Sequence, residues 1–302
     1  MDQQNASTPS ACLLCGGTEF IVRLKPKDHT VTGETFDIRS CKLCGFCHTS
    51  PQPSPQTISK YYDSEEYVSH SETRTGIINF LYGKVQKLNL QDKFRWVKKD
   101  VPRGTWLDYG GGAGAFMQYV QSKGQPIVGV EPDVKARTRA IEKGLDMRRP
   151  EEVADIPNEE FAAITLWHVL EHIHNPREVL ETLRDKLKPE GVLVIALPNL
   201  RSKDAHHYKE FWAGYDVPRH LWHFREKDIK ILVKTSGFEY QTTHPMKFDA
   251  FYVSMLSEKY MKWGSLTRGV WNGLRSNIHA ALSGYPYSSQ VYVFKKENRV
   301  KE

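Results

Sequence analysis

The sequence predicts an α/β protein, a largely parallel sheet with helices on both faces, preceded by a small four-cysteine module. Three observations carry this. A short strand ending at Asp108 runs directly into the glycine turn 110–114, and a helical pattern follows from Phe116 to Lys123. Val192 to Leu197 is wholly apolar, as a central strand covered on both faces requires. All five cysteines, Cys12, Cys15, Cys41, Cys44 and Cys47, lie within the first 50 residues.

The chain has 302 residues, enough for one large domain and one appendage. The expected divisions are a cysteine module at 1–55, a helical lid or linker at 56–100 and the main domain at 101–302, with a helical insertion at about 251–287. No stretch approaches the roughly 18–20 apolar residues that span a bilayer. Met1 to Ser10 is polar and lacks the basic and apolar regions of a signal peptide, so a cytoplasmic location is expected. The net charge of +6 fits an anionic substrate, a phosphate-rich partner or an acidic membrane surface and separates none of them. There is no basic block of the kind that forms a nucleic-acid tail, and no internal repeat.

Cys12-Leu-Leu-Cys15-Gly16 and Cys41-Lys-Leu-Cys44-Gly45 repeat one pattern. Side chains three apart meet one ion only across a tight turn, and the following glycine supplies the backbone angles that turn needs. Two such turns facing each other make the four-thiolate tetrahedron that zinc favours, at about 2.3 Å per sulfur. The residues between them alternate well enough for a β-hairpin, which makes the module a zinc ribbon. A closed four-thiolate shell has no open position, so the expected zinc is structural. Cys47 and His48 are alternative ligands, less well matched to the paired turns. Pro51, Pro53 and Pro55 mark the exit from the module.

A long helix is expected from about Arg74 to Lys99, with Ile77, Leu81, Val85 and Leu88 on one face. The chain then reads Asp108-Tyr-Gly110-Gly111-Gly112-Ala-Gly114, and a second strand, Ile127 to Val130, ends at Glu131. A glycine turn between strand and helix lets a ligand approach backbone at the carboxyl edge of a parallel sheet. Gly110, Gly112 and Ala115 also satisfy the relaxed dinucleotide pattern. Asp108 separates the two readings: a carboxylate there repels a pyrophosphate but favours S-adenosylmethionine, which carries an ammonium and a sulfonium. Glu131 stands where a carboxylate takes both ribose hydroxyls. The plain alternative is that Asp108 only caps the turn.

Asp108 to Gly114 resembles the first motif of class I S-adenosylmethionine methyltransferases, and Val130-Glu131-Pro132-Asp133 resembles their second acidic loop. The strongest resemblance is Trp167-His168-Val-Leu-Glu-His172-Ile-His-Asn-Pro176, followed by Leu187 to Gly191 and Leu193 to Asn199. It is similar to the branch holding ubiquinone-biosynthesis O-methyltransferases and many sugar methyltransferases, over about Trp106 to Phe238. The cysteine module separately resembles a zinc-binding segment that precedes some sugar methyltransferases. The resemblance implies a Rossmann-like sheet of seven strands with the last antiparallel. It also implies donor contacts from Asp108, Gly110, Gly112, Gly114, Glu131 and Pro132, with Glu152 and Val153 against the adenine. That last match is loose, because Arg148 to Val153 lacks the usual aspartate.

The local signals agree. Asn175 is expected to cap a helix that starts at Pro176, with Glu178 completing a capping box. Val179, Leu180, Leu183 and Leu187 should line its buried face. Val291 to Phe294 reads as the final strand.

Methyl transfer needs mostly proximity and orientation, with a general base for some oxygen or nitrogen nucleophiles. His168 follows the fourth strand at the catalytic edge and is one candidate base, its alternative role being to pack against the bound donor or to hydrogen-bond backbone. His172 reads as structural. His220 and His223 lie in Asp216 to Phe224, which resembles the segment roofing the substrate in this branch; His220 is the first choice for base or substrate contact. Arg219 suits a carboxylate or phosphate on the substrate. Tyr61 and Tyr62 face the site's mouth by resemblance, or else act as half-buried anchors.

The insertion at about 251–287 carries a net charge of +3 and apolar residues at helical spacing. Helices capping the core are the first reading, and peripheral membrane contact is the second. The expected acceptor is a small molecule, a sugar or a lipid-linked glycan precursor. An RNA methyltransferase using basic ribbon residues Arg23, Lys25, Lys27, Arg39 and Lys42 is the alternative. A non-catalytic S-adenosylmethionine-binding or docking module is a third reading, and the intact Asp108, Gly110, Gly112 and Glu131 speak against it.

Overall fold

A computed structural model describes residues 6–62, 77–99 and 101–297. The amino-terminal module holds β1 (Ala6–Ser7), β2 (Phe20–Leu24), β3 (Asp37–Cys41), β4 (Cys47–Ser50) and β5 (Gln52–Pro53). Then come α1 (Ile77–Lys98), β6 (Thr105–Tyr109), α2 (Ala115–Gln121), β7 (Ile127–Val130), α3 (Val134–Glu142) and β8 (Met147–Arg148). They are followed by β9 (Phe161–Trp167), α4 (Pro176–Lys186), β10 (Leu187–Pro198), α5 (Lys203–Tyr208), β11 (Trp222–His223) and α6 (Glu226–Thr235). The chain closes with β12 (Phe238–Pro245), α7 (Asp249–Tyr260), α8 (Leu266–Ser283) and β13 (Ser289–Lys296).

Seven strands form one sheet in the order β12-β13-β10-β9-β6-β7-β8. Strands β6 to β10 run parallel, and β13 is antiparallel to both its neighbours. The Rossmann-like sheet with a reversed last strand is therefore present. The apolar run in β10 follows from this topology. Leu193, Ile195 and Leu197 enter one core cluster while Val192, Val194 and Ala196 enter the other, one on each face of the sheet.

Two local expectations change. Asn175 precedes α4 and Pro176 starts it, but the Asn175 side chain caps no backbone N–H; its amide instead donates to Glu178 at 3.1 Å. In α1, Leu88 is exposed, whereas Val97 is buried and Phe94 packs 5.4 Å from the Trp106 ring. The helix rests on the sheet by its last turns, so the contact face is set there and not by the Val85–Leu88 stripe. Arg74, the expected start, lies outside the described residues.

The cysteine module is not a separate bead. Its sheet has the order β11-β4-β3-β2, and β11 comes from the main domain, pairing Trp222 with His48 and His223 with Cys47. No helix among the described residues is long and apolar enough to cross a membrane.

Candidate active site

The glycine turn sits on the carboxyl edge of β6 and β7, where the amides of Gly110 and Gly111 donate to Val130 O at 2.7 and 3.0 Å. Gly110 has φ 80°, and a Cβ there would stand 2.4 Å from Val169, so only glycine fits. At Gly112 a Cβ would meet nothing within 4 Å, leaving open space above the backbone. Gly114 begins α2 in the left-handed conformation and is closed off by Leu145.

Two acids flank this space. Asp108 is fully buried and accepts from Thr165 Oγ1 at 2.7 Å; burial pushes its carboxyl up to about 6. Glu131 bridges the turn and the next helix, its Oε2 accepting from the Gly112 amide at 2.8 Å and its Oε1 from the Asp133 amide at 2.9 Å. Burial raises its carboxyl as well. Lys93, from α1, lies 4.6 Å over the Trp167 ring; burial lowers its ammonium, and the charges of Asp108 and Asp249 oppose that. Half-buried glycine backbone, open at Gly112, beside two buried acids fits the ammonium and sulfonium of the expected donor. Pro132 shares the second loop, its carbonyl taking Arg137 Nη1 at 3.0 Å. Glu152 turns back onto the Arg149 amide at 2.6 Å, and Val153 is buried in the core.

His168 ends β9 with φ 58°, an unusual angle for a non-glycine residue. Its Nε2 lies 3.1 Å from Asp249 Oδ2 and its Nδ1 3.5 Å from Glu171 Oε1. Burial pushes the ring down, but these two acids outweigh it and raise His168 to about 9. A ring held protonated near neutral pH accepts no further proton, so the geometry does not support His168 as a base. It clamps the end of β9 to α7.

His220 is placed differently. Its Nδ1 lies 3.0 Å from Gly214 O, and a carbonyl only accepts, so Nδ1 carries the proton. In the neutral tautomer this leaves the lone pair on Nε2, with Asp216 Oδ2 at 3.9 Å and Glu171 Oε1 at 4.0 Å. Glu171 is buried; its Oε1 also faces His168, and its Oε2 has no hydrogen-bond partner among the described residues. Glu171, His172 and His220 bring one ligand atom each within 4.8 Å of one another. A small pocket is lined by Glu171 and His220 together with Trp212, Trp222, His223 and Phe224. His223 is buried, sits 2.9 Å from Thr49 Oγ1, and is held well below its ordinary range by burial. His172, driven down to about 4 mainly by burial, bonds Arg219 O at 3.1 Å and Tyr62 OH at 3.0 Å.

Arg219 is not available to a substrate. It is 1% exposed, and its guanidinium bonds Asp216, Asp28, Thr30 Oγ1 and Tyr61 O. Its polar partners are internal because the module's 28–32 turn folds over the roof segment. Tyr61 is buried, its hydroxyl donating to Glu34 at 2.7 Å, so it is an anchor. The residues that sequence reasoning missed are Glu171, Asp216, Asp249 and Lys93. Glu171 lay inside the quoted motif and had no visible partner in sequence.

The four cysteines converge. Cys12 Sγ lies 3.5 Å from Cys44 Sγ, Cys15 Sγ lies 3.6 Å from Cys41 Sγ, and all four sulfurs fall within 4.8 Å of one another. A tetrahedron with about 2.3 Å arms has edges of about 3.8 Å, so this set fits one zinc ion. Gly16 and Gly45 donate to Cys12 O and Cys41 O at 2.9 Å and adopt φ 71° and 77°. Cys47 points its thiol to Gly45 O instead, and His48 packs edge-on against Phe20; neither joins the set.

Comparison with known proteins agrees with this geometry. Two ubiquinone biosynthesis O-methyltransferases, from Photobacterium profundum and Haemophilus ducreyi, are 31% and 29% identical over 105 residues. Those matches cover 32% and 31% of this chain, and the chain spans only 45% and 44% of the length of these relatives. Phosphoethanolamine N-methyltransferase 2 of Haemonchus contortus, solved with S-adenosyl-L-methionine, shares the fold at a TM-score of 0.54 and 14% identity, covering 93% of this chain and 69% of its own. Residues 84–243, more than half of the sequence, match the family described as "Methyltransferase domain". With the glycine turn, its two acids and the seven-stranded sheet in place, the chain belongs to the methyltransferase domain family.

Proposed function

We propose that this protein is an S-adenosylmethionine-dependent methyltransferase acting on an oxygen or nitrogen of a small molecule, with a sugar or glycan precursor fitting best. The observation that carries the acceptor side is the placement of His220 Nε2 4.0 Å from buried Glu171, whose Oε2 has no hydrogen-bond partner among the described residues, in a pocket walled by Trp212, Trp222 and Phe224. Unsatisfied buried acceptors of this kind call for ligand O–H or N–H donors. Aromatic walls suit the apolar face of a sugar ring.

When bound, the donor supplies an activated methyl group on a sulfonium. The chain's own residues do the rest. Asp108, Glu131 and the backbone at Gly110 and Gly112 hold the donor at the sheet edge. Glu171 orients the acceptor by accepting from one of its hydroxyls. His220 Nε2 takes the proton of the attacking hydroxyl, and Asp216 and Glu171 stabilise the imidazolium that forms. Cys12, Cys15, Cys41 and Cys44 would hold a structural zinc ion, whose closed shell offers stability to the module and takes no part in transfer.

A second reading rests on the convergence of Glu171, His172 and His220. Those three groups suit a divalent cation that would activate the acceptor oxygen directly. Activity that a chelator abolishes while the zinc is retained favours this reading over simple base catalysis.

The test is transfer of isotope-labelled methyl from the donor to a panel of sugars and sugar nucleotides. Transfer to at least one hydroxyl acceptor is expected. Donor binding with no transfer to any acceptor would favour a docking module, and salt-dependent RNA binding with transfer to RNA would favour the nucleic-acid alternative.

A further inference from the structure

In the insertion between β12 and β13, α8 packs against α7 and α5 through small residues: Gly269, Asn272, Gly273, Ser276 and Ala280 are the buried ones. A Cβ on Gly269 would stand 2.6 Å from Met255 Cα, and one on Gly273 2.8 Å from Phe251 Cα, so the two helices touch backbone to backbone. The large apolar side chains therefore point away. Leu266, Val270, Leu274, Ile278 and Leu282 recur every fourth residue, and all are exposed, with Leu282 at 83%. Trp271 lies among them at 58%, and Trp263, just before the helix, is 80% exposed.

At 100° per residue these positions occupy about 160° of the helix circumference, a continuous apolar face. Arg275 borders that face on one side, beside Arg268, whose Nε is held by Glu258 Oε2 at 3.0 Å, and Lys259 and Lys262 precede it in the chain. No aspartate or glutamate occurs from Lys259 to Lys296. An exposed apolar helix face with tryptophans and a net basic margin matches the chemistry of an anionic lipid surface.

We propose that α8 lies flat on an anionic membrane surface, inserting its Leu266–Leu282 face and Trp263 among the acyl chains while Arg275 and the preceding Lys259 and Lys262 meet the headgroups. The 18 residues of α8 would lie in the interface over about 27 Å, not span it. The same insertion reaches the active site, because Asp249 at the start of α7 holds His168. Docking through α8 would therefore fix the active-site mouth near the lipid surface. The proposal does not depend on the identity of the acceptor.

The test is co-sedimentation of the full, zinc-replete chain with vesicles of neutral phosphatidylcholine, alone or with about 30% phosphatidylglycerol. Binding to the anionic vesicles is expected to exceed that to neutral ones by about tenfold and to fall with added salt. Leu274→Ser with Leu282→Ser should remove it, and Lys262→Glu with Arg275→Glu should remove the preference for anionic lipid, both with unchanged thermal unfolding. No sedimentation with anionic vesicles would overturn the proposal, as would sedimentation that both double substitutions leave intact. Light scattering that shows a dimer dispersed by the leucine substitutions, without vesicle binding, would assign the face to a second copy of the chain instead.

Discussion

Thr49, in β4 of the cysteine module, donates its hydroxyl to the backbone carbonyl of His220 at 2.6 Å and lies 2.9 Å from His223 Nε2. The module and the roof of the acceptor cleft are thus one buried hydrogen-bonded unit. Thr49→Val should leave the His220 carbonyl unsatisfied, costing about 1–3 kcal/mol of stability. It should also lower methyl transfer more than donor affinity, which steady-state kinetics beside donor titration would show.

Removing zinc should act along the same route. Metal analysis is expected to find one zinc per chain, and stripping it should lower the unfolding temperature and loosen β4 and β11 together. Hydrogen exchange at the Thr49 amide, which donates to Leu221 O at 3.0 Å, reads this directly. Full protection of that bond in metal-stripped protein would contradict it.

His220→Ala should cut turnover by about tenfold or more while donor binding holds, because the variant loses the Nε2 lone pair and keeps the glycine turn. Unchanged turnover would remove His220 as the base.

His168 predicts a stability profile. Its folded value of about 9 lies above the ordinary 6.5, so its contribution is fully present below about pH 6.5 and is lost as pH rises through 9. Unfolding midpoints should fall across that window. His168→Asn, which tolerates the left-handed backbone at φ 58°, should flatten the profile there.

Much of this site was legible in sequence, and the boundary is physical. The glycine turn, the paired cysteine turns and the two-faced apolar strand are local patterns, and each survives intact. Roles that depend on distant partners were not legible. The charge on His168 comes from Asp249, 81 residues away, and Arg219 is consumed by Asp28, 191 residues away. The pairing of His48 with Trp222 likewise joins segments that carry no shared pattern. The exposed face of α8 has the periodicity of a core helix, and only its small opposite face reveals which side is buried.

Calorimetric titration with S-adenosylmethionine and its demethylated product tests the central claim most directly, carried out from pH 5 to 7.5 on the native chain and on Asp108→Asn. Because Asp108 is raised to about 6, a cationic donor should bind more tightly as pH rises through that value, by at most about tenfold per unit. The variant should bind weakly at every pH. Saturable one-to-one binding with that profile is the expected result; a folded chain that takes up neither compound would contradict the account.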